Sequence, residues 1–432
     1  MSDVAALANG LNLVWLLMAS FLIFFMKAGF AMLEAGQIRA KNVSNQLTQT
    51  LVTLCVGLLV YFLIGAGVAN IVGQVTSGSA LDVGKAFAYL WGGSADWAEW
   101  LFGGMFAIAA ANIVSGGVAG RCRPRMYVGY TIAITGFIYP AAVGLVWNGG
   151  LLAAMGFHDF AGGMVIHAMG GISGLTAAWV LGPRLGRFND DGSANVIPGH
   201  SVTLAVLGTL ILAFGWYGFN VGTATQVVQQ TKNGIQLADF AYVGRVALVT
   251  TLGMVAGGLS AGLVTWMRTD NVDTLYIANG MLAGLVGVTG VADVLIWPGA
   301  LLVGVLAGAQ LPFVFEFVEK RLRIDDVCAV FPVHGTAGML GIVIYPLIST
   351  GSAGLAQIGV QLAGVALIAV WTAATTFVIF KGATKLGQAR VTQDKEMAGL
   401  DQTAHGMETY PEFGEATNLN DSPVRTDGGY DD

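Results

Sequence analysis

Two histidines stand in closely similar sequence settings in the two halves of the chain. Asp159 lies eight positions before His167, and Asp326 lies eight positions before His334. A neutral imidazole donates a hydrogen bond from one ring nitrogen and accepts one at the other, so two facing imidazoles could solvate a small neutral base, share a proton or pass protons along. Both rings occur in long apolar segments, where an ionisable side chain is by default a candidate functional group.

Three interpretations of the histidine pair are open. Each ring could be a neutral core side chain that hydrogen-bonds a backbone carbonyl. The pair could bind zinc, although no carboxylate or thiolate accompanies it at ligand spacing. We favour a third interpretation, a pore with two imidazoles, because the two Asp-x7-His segments end the two proposed halves of the chain. Since burial disfavours the charged form, we expect at least one imidazole to be neutral.

The composition indicates a helical membrane protein. Of 432 residues, 55% are hydrophobic and 11% are charged, and the mean hydropathy is +0.69. Soluble domains carry about 25% charged residues, so the deficit favours lipid as the surrounding medium. The chain has 62 glycines, and small residues let helices approach closely in a membrane. We therefore expect a tightly packed helical bundle.

Charge-poor runs of about 20 residues, the length that spans a bilayer, recur along the chain. We predict an all-α, polytopic membrane domain over residues 1–381, followed by a cytoplasmic tail over 382–432 that is disordered beyond about 411. Helices 1–5 cover about 11–181, helices 6–10 about 201–348, and the final helix about 355–381. The eleven predicted helices are 11–33, 47–72, 99–119, 126–147, 160–181, 201–221, 241–267, 274–292, 294–316, 329–348 and 355–381.

Lysine and arginine are unequally divided between alternate loops. One set of loops holds eleven of them: Arg39, Lys41, Arg121, Arg123, Arg125, Arg184, Arg187, Arg268, Lys320, Arg321 and Arg323. The other set holds three: Lys85, Lys232 and Arg245. By the positive-inside rule the first set is cytoplasmic, which places the N-terminus outside and the C-terminus inside. An inverted 5+5 repeat plus a final helix would bring both histidines to the interface of the halves.

Six glycine-rich stretches, in their order and spacing, carry a family resemblance. They are AGFAMLEAGQIRAKNVSN (28–45), DFAGGMVIHAMGG (159–171), PGHSVTLAVLGTLILAFGWYGFNVGT (198–223), AGLVGVTG (283–290), DDVCAVFPVHGTAGMLG (325–341) and GLDQTAHGMETY (399–410). The chain resembles the ammonium transporters of the Amt/MEP/Rh family, on the Amt side. The resemblance implies a homotrimer of eleven-helix protomers in a lipid membrane, each with its own pore for ammonium or ammonia.

The resemblance also implies an outer recruitment site for ammonium. Trp147 matches the family's vestibule tryptophan, and Phe102 and Phe106 match its aromatic pair on the third helix. Thr223 stands where many members carry a serine hydroxyl that helps to bind the cation, and threonine preserves the acceptor. An interfacial anchor is the alternative role for Trp147, since it ends a helix at the outer boundary.

Below that site, the resemblance implies a gate and a pore. Phe106 and Phe219 match the gate, His167, His334 and Thr289 match pore positions, and Asp159 matches a structural acid. Ordinary packing is the alternative for any one of the 22 phenylalanines. We expect Asp159 to cap the fifth helix by accepting backbone N–H bonds, and not to touch the substrate.

The energetics favour ammonia as the species that passes the narrow part of such a pore. Moving a bare ion into a low-dielectric medium costs on the order of 20 kcal/mol in the idealised limit. Removing a proton at pH 7 from an acid whose pKa is ~9–10 costs about 3–4 kcal/mol. Potassium has no proton to lose and should be excluded.

Other side chains and partners follow from the same reasoning. Lys27 is predicted to be structural, either snorkelling or pairing with Glu34. His200 and His405 are expected to face water on the cytoplasmic side, and His158 to lie in an outer loop without ligating anything. By resemblance, a PII-type regulatory protein is a candidate partner on the cytoplasmic face.

We expect no nucleic-acid partner, no metal and no cofactor. No nucleophile–base pair or phosphate loop suggests an enzyme, so we expect no catalytic residues. Two alternatives to a transporter are an ammonium sensor that conducts little and a neutral-gas channel.

Overall fold

The computed structural model describes residues 3–224, 228–231, 234–237, 240–349 and 354–411. Within these ranges, eleven long helices follow one another along the chain. They are α1 (Asp3–Gln37), α2 (Ala40–Thr76), α3 (Ser94–Val118), α4 (124–146), α5 (Gly163–Leu181), α6 (Val202–Thr223), α7 (Phe240–Thr269), α8 (Thr274–Thr289), α9 (Trp297–Arg321), α10 (Phe331–Ile348) and α11 (Leu355–Lys385).

Shorter elements complete the described chain. Single helical turns lie at Val83–Ala86, Ala88–Trp91 and Leu151–Ala154, and two short helices, α12 (Gln393–Ala398) and α13 (Leu400–His405), follow α11. Strands β1 (Val228–Thr231) and β2 (Gly234–Leu237) form a small antiparallel hairpin in the loop between α6 and α7.

The predicted all-helical, multi-span architecture is confirmed, with the hairpin as a small addition. Ten of the described helices are long and apolar enough to cross a membrane, and α8, with 16 residues, is shorter. The number of eleven spans and the sidedness of the termini therefore stay predictions. Helix α1 begins eight residues before the predicted start at 11, and α11 continues four residues beyond the predicted end at 381. The disorder predicted beyond 411 lies outside the described residues.

Glycines allow the helices to pack backbone to backbone. Gly208 of α6 lies so close to the backbone of Leu33 on α1 that an added Cβ would overlap it. Gly284 of α8 lies equally close to the carbonyl of Gly253 on α7. Such approaches supply the van der Waals contact that holds helices together where lipid removes the hydrophobic driving force.

Helix α3 forms the centre of the bundle and α11 its periphery. In the most apolar stretch of α3, 83% of the residues are buried, compared with 22% in α11. Val370 and Val378 of α11 are each 67% exposed, as expected of side chains that face lipid. The candidate site lies where α3 meets α5, α6 and α10.

Candidate functional site

The two predicted pore histidines meet in the protein interior. Nδ1 of His167 lies 3.2 Å from Nδ1 of His334, and the rings are nearly parallel, with 12° between their planes. The two residues are only 2% and 6% exposed. A hydrogen bond between two Nδ1 atoms needs one donor and one acceptor, so the two imidazoles carry their ring protons on different nitrogens.

Each histidine lies in a π-helical first turn that an aspartate caps. His167 belongs to the turn Gly163–Ala168 and His334 to the turn Phe331–Thr336. The Asp159 carboxylate accepts four backbone N–H bonds of 2.8–2.9 Å, from Gly162, Gly163, Met164 and Val165. The Asp326 carboxylate accepts bonds of 3.0 and 2.8 Å from Val330 and Phe331. The Asp-x7-His spacing therefore reflects one local structure built twice.

Gly162 makes the Asp159 cap possible. Its φ of 100° lies in the left-handed region, which glycine adopts without the steric cost that a Cβ would add. This turn directs four successive N–H groups towards one carboxylate.

Trp216 is a site residue that the sequence analysis did not single out. Its indole stacks on the His167 imidazole with 4.8 Å between ring centroids and 13° between planes. Its Nε1 donates a 2.8 Å hydrogen bond to Oγ1 of Thr289, whose hydroxyl donates in turn to the carbonyl of Leu285. Trp216 lies three positions before Phe219, and this helical spacing was the available signal that the two rings share a face.

A continuous line of aromatic rings leads from Trp147 to the histidines. The Trp147 and Phe106 centroids are 6.2 Å apart, and those of Phe106 and Phe219 are 4.2 Å apart. Phe219 then lies 5.4 Å from His167. Phe102 packs edge-on against Phe106 at 4.6 Å. The structure thus brings together the aromatic residues predicted from the sequence, and they lie in the predicted order.

A cavity of about 570 Å³ opens at the Trp147 end of this line. The Trp147 indole N–H donates to the carbonyl of Asp159 at 2.7 Å, which fixes the ring at the cavity wall. Thr223 lines the same cavity and donates its hydroxyl to the carbonyl of Phe219 at 2.8 Å, so its oxygen is still able to accept. Two exposed acids in the first turns of α3, Asp96 and Glu99, also line the cavity together with Lys85, and nothing in their sequence positions indicated that.

Within the histidine pair, a buried ring nitrogen has no partner among the described residues. Nε2 of His167 is fully buried and makes no hydrogen bond to any residue that the structure describes. Leaving a buried polar atom unpaired costs about 1–3 kcal/mol, so a polar molecule that bonds there gains that energy back.

At the opposite ends of α5 and α10 from the cavity, a charged cluster joins the two halves. Arg184 Nε lies 2.7 Å from the Asp325 carboxylate, Arg187 Nε lies 3.3 Å from it, and Arg121 donates to the Asp325 carbonyl at 2.7 Å. Burial alone would raise the pKa of Asp325, but the hydrogen bonds of Arg184 and the charges of Arg121 and Arg184 hold it below its usual value. In the sequence, these arginines had served only to predict which loops are cytoplasmic.

The remaining titratable residues differ in part from expectation. Lys27 is buried and its Nζ donates to the carbonyl of Ile108 at 2.8 Å. Of the two arrangements predicted for it, snorkelling is therefore wrong. His200 and His405 are only half-exposed and contact Tyr410 and Asn45 at 2.8 and 3.1 Å.

His158 also has a partner. Its Nε2 lies 3.0 Å from the carboxylate of Asp293. Burial would lower the pKa of His158, but the hydrogen bond and the charge of Asp293 outweigh it and raise that pKa.

The repeated apolar helices around this site define a multi-pass membrane protein. Residues 14–410 match the model of the family described as Ammonium Transporter Family. The chain belongs to that family.

Curated relatives extend over nearly the whole chain. Ammonium transporter Amt2 of Haloferax mediterranei is 60% identical, with 99% of this chain and 95% of that protein aligned. Ammonium transporter Amt1 of Methanocaldococcus jannaschii is 39% identical, with 94% of this chain and 98% of that protein aligned.

Solved structures share the fold. A protein titled Sensor Amt Protein superposes with a TM-score of 0.84 at 29% identity, covering 92% of this chain and 99% of that one. Mep2 of Candida albicans superposes with a TM-score of 0.76 at 25% identity, covering 89% of this chain and 86% of that one.

Proposed function

We propose that this protein transports ammonium by recruiting the cation at an outer aromatic mouth, removing one proton and conducting ammonia along the histidine pair. The observation that carries the proposal is the unbroken line of ring contacts from Trp147 through Phe106 and Phe219 to His167 and His334.

Recruitment uses the cavity at the Trp147 end. The indole face of Trp147 attracts a cation with about 0.5–2 kcal/mol, and the hydroxyl oxygen of Thr223 accepts an N–H bond. Asp96, Glu99 and Lys85 line the same cavity, and the two acids outnumber the lysine, so a net negative charge raises the local cation concentration. These groups favour ammonium over the neutral base at this point.

Proton removal comes next, at the Phe106–Phe219 contact. The two rings lie 4.2 Å apart and offer no hydrogen-bonding group to replace the hydration of an ion. Full desolvation of an ion costs on the order of 20 kcal/mol, far above the ~3–4 kcal/mol needed to remove its proton. One N–H bond breaks, the electron pair stays on nitrogen, and the proton passes to water in the cavity.

The histidines then replace the water that ammonia has lost. Nε2 of His167 is a buried, unpartnered nitrogen on the imidazole that lies against Phe219, and His334 continues the row below it. Two imidazoles with opposite ring protonation offer a donor and an acceptor to a molecule that itself donates and accepts. Asp159 and Thr289 support this row without touching the substrate, since both are bonded to the protein itself.

The test is reconstitution of the purified protein in liposomes. Ammonia flux is followed by internal alkalinisation and charge movement by ammonium-evoked current, for wild type, His167→Ala and His334→Ala. Each alanine variant should reduce the ammonia flux at least ~10-fold, because it removes one of the two polar side chains that solvate ammonia in the passage. His200→Ala, whose ring contacts the Ile38 carbonyl and Tyr410 and none of the rings in the line, is the matched control and should transport like wild type.

The outcomes separate the candidate functions. A wild-type protein that gives neither ammonia flux nor current in response to ammonium contradicts the proposal. Saturable ammonium binding without flux would instead support the sensor alternative. A homotrimer, a PII-type partner and the lipid contacts implied by the resemblance are further proposals, and native mass spectrometry in detergent tests the first.

A further inference from the structure

A glutamine on α9 is bonded to the back of the turn that carries His334. Nε2 of Gln310 donates to the carbonyl of Pro332 at 2.7 Å and to the carbonyl of Ala307, in its own helix, at 2.9 Å. Its Oε1 accepts a 2.9 Å hydrogen bond from the hydroxyl of Thr336. One half-buried side chain therefore joins α9 to two points of the His334 turn.

The orientation of the Gln310 amide follows from its neighbours. Nε2 carries two hydrogens, and it lies against two backbone carbonyls, which can only accept. The reverse orientation would place Oε1 against both carbonyls, where no hydrogen bond could form. The observed orientation satisfies both carbonyls and leaves Oε1 to accept from Thr336. The amide therefore binds the turn in one orientation only.

Pro332 and Thr336 flank His334 on the turn. Each is two positions from the histidine, and positions two apart point to nearly opposite sides of a helix. The bonds to Gln310 therefore hold the side of the turn that faces α9. The imidazole projects from the other side, where its Nδ1 lies 3.2 Å from that of His167. A displacement of the turn relative to α9 consequently moves the imidazole as well.

The two histidine turns differ in the strength of their caps. Asp159 accepts four backbone N–H bonds from the turn of His167. Asp326 accepts only two from the turn of His334. The bonds that join Gln310 to Pro332 and Thr336 lie at the turn with the weaker cap. The position of His334 therefore depends more on a neighbouring helix than the position of His167 does.

The contact between the two histidines tolerates little displacement. Its N–N distance of 3.2 Å is already at the long end of the range for hydrogen bonds of N–H groups. Functional side chains have to be held to within about 0.5 Å, and hydrogen bonds from their neighbours do so. Without the Gln310 amide, the Pro332 carbonyl would lose a donor, and the turn would be free to move by that amount.

From this geometry we propose that Gln310 is a positioning residue for His334. Through Pro332 and Thr336 it sets the distance between the two imidazoles, and so it aligns the row that solvates ammonia. Gln310 acts through the turn and does not touch the substrate. The inference rests on the proposed function, since it concerns the alignment of the same pore, but the contact between the histidines can be measured without transport.

The first test compares the maximal flux with the apparent affinity. Gln310→Leu keeps much of the side-chain volume and removes all three hydrogen bonds. In the liposome assay it should lower the maximal ammonia flux on the order of 10-fold, since a misplacement of about 1 Å can cost about 100-fold. The apparent affinity for ammonium should stay within about twofold of wild type, because Trp147 lies at the far end of the line of rings.

Variants of the hydroxyl partner repeat the test without changing Gln310. Thr336→Val should also lower the maximal flux, and Thr336→Ser, which keeps the hydroxyl, should restore it. Since Gln310 and Thr336 belong to one network, the double variant should lose no more flux than Gln310→Leu alone. Thr375→Val is the matched control, because among the described residues the Thr375 hydroxyl bonds only carbonyls of its own helix. It should transport like wild type.

Nitrogen NMR distinguishes positioning from a general role in folding. In the full-length protein, labelled with ¹⁵N-histidine and placed in lipid bilayers, the two Nδ1 nuclei should show a scalar coupling, which exists only while one ring donates to the other. Gln310→Leu should remove this coupling, and Thr336→Ser should keep it. The signals of His200, whose ring contacts the Ile38 carbonyl and Tyr410, should stay unchanged and report an intact fold.

Other results overturn the inference. They are wild-type flux in Gln310→Leu, reduced flux with the coupling intact, or a wild-type protein without the coupling. If flux and affinity fall together and the His200 signals shift, Gln310 only maintains the fold. A wild-type protein without any ammonium response removes the proposed function, whereas the coupling still decides whether Gln310 positions His334.

Discussion

Nδ1 of His167 and Nδ1 of His334 face each other at 3.2 Å, although the two residues are 167 positions apart in the chain. Two donors or two acceptors cannot form this contact. The pair is therefore asymmetric, and one ring presents a proton at Nε2 while the other presents it at Nδ1.

Nitrogen NMR tests this asymmetry. With ¹⁵N-labelled histidine in lipid bilayers, the buried pair should give signals of one Nδ1–H and one Nε2–H tautomer, and His334→Asn should remove one set. Identical tautomers for both rings would contradict the contact seen here.

Trp147→Leu should weaken recruitment without closing the pore. Loss of about 0.5–2 kcal/mol of cation–π attraction corresponds to an apparent ammonium affinity lower by about 2- to 30-fold, with a smaller change in the maximal rate. The concentration dependence of ammonium-evoked transport measures both quantities. Trp179→Leu, which removes an exposed indole on α5, is the control and should leave the affinity unchanged.

Thr289→Val should reduce flux through the loss of one hydrogen bond. The Trp216 indole N–H would be left buried and unpaired at a cost of about 1–3 kcal/mol, so the ring that stacks on His167 would shift. We expect a lower maximal ammonia flux with little change in apparent affinity. Thr289→Ser keeps the hydroxyl and should restore flux; an equally inactive serine variant would argue against this positioning role.

Asp159→Ala should destabilise the fold more than it alters binding. The substitution leaves four backbone N–H groups at the start of α5 without their acceptor, which should lower the unfolding free energy by about 2 kcal/mol or more. Thermal unfolding in detergent measures the loss. Asp190→Ala, at an exposed loop position, should stay within ~0.5 kcal/mol of wild type.

The His158–Asp293 pair should make stability depend on pH. Because the folded-state pKa of His158 is raised above 6.5, its contribution is fully present below that pH and is lost as the pH rises through the folded value. Between about pH 6 and pH 9, the unfolding free energy of the wild type should therefore fall by up to about 1 kcal/mol more than that of Asp293→Asn. Parallel unfolding curves of the two proteins across this range would contradict the prediction.

Much of the fold could be predicted because membrane helices are encoded locally. Each span needs its own apolar run, since lipid offers no hydrogen bonds to an exposed backbone. The predicted and observed helices therefore agree closely in the middle of the chain, for example at α6 and α7. Ends were less certain, as α1 illustrates, because a helix can continue beyond the length that a span requires.

The candidate site was predictable only in part. His167 and His334 could be recognised because each follows an aspartate at the same short interval. Trp216 could not, because its role depends on which helices become neighbours. Of the two arrangements predicted for Lys27, snorkelling is wrong for that reason, since a lysine in an apolar run can extend to water or, as here, turn inward to a carbonyl.

The amino-acid sequence by itself determined that this chain is a bundle of membrane helices with two histidines that each follow an aspartate at the same spacing, because apolar length and short spacings are properties of consecutive residues. Only the tertiary structure decided that the two imidazoles face each other, that Phe106 and Phe219 pack against each other beside them, and that Glu34 and Lys27 are buried. Those contacts join distant segments, and close packing through glycine, which no single segment encodes, sets their distances.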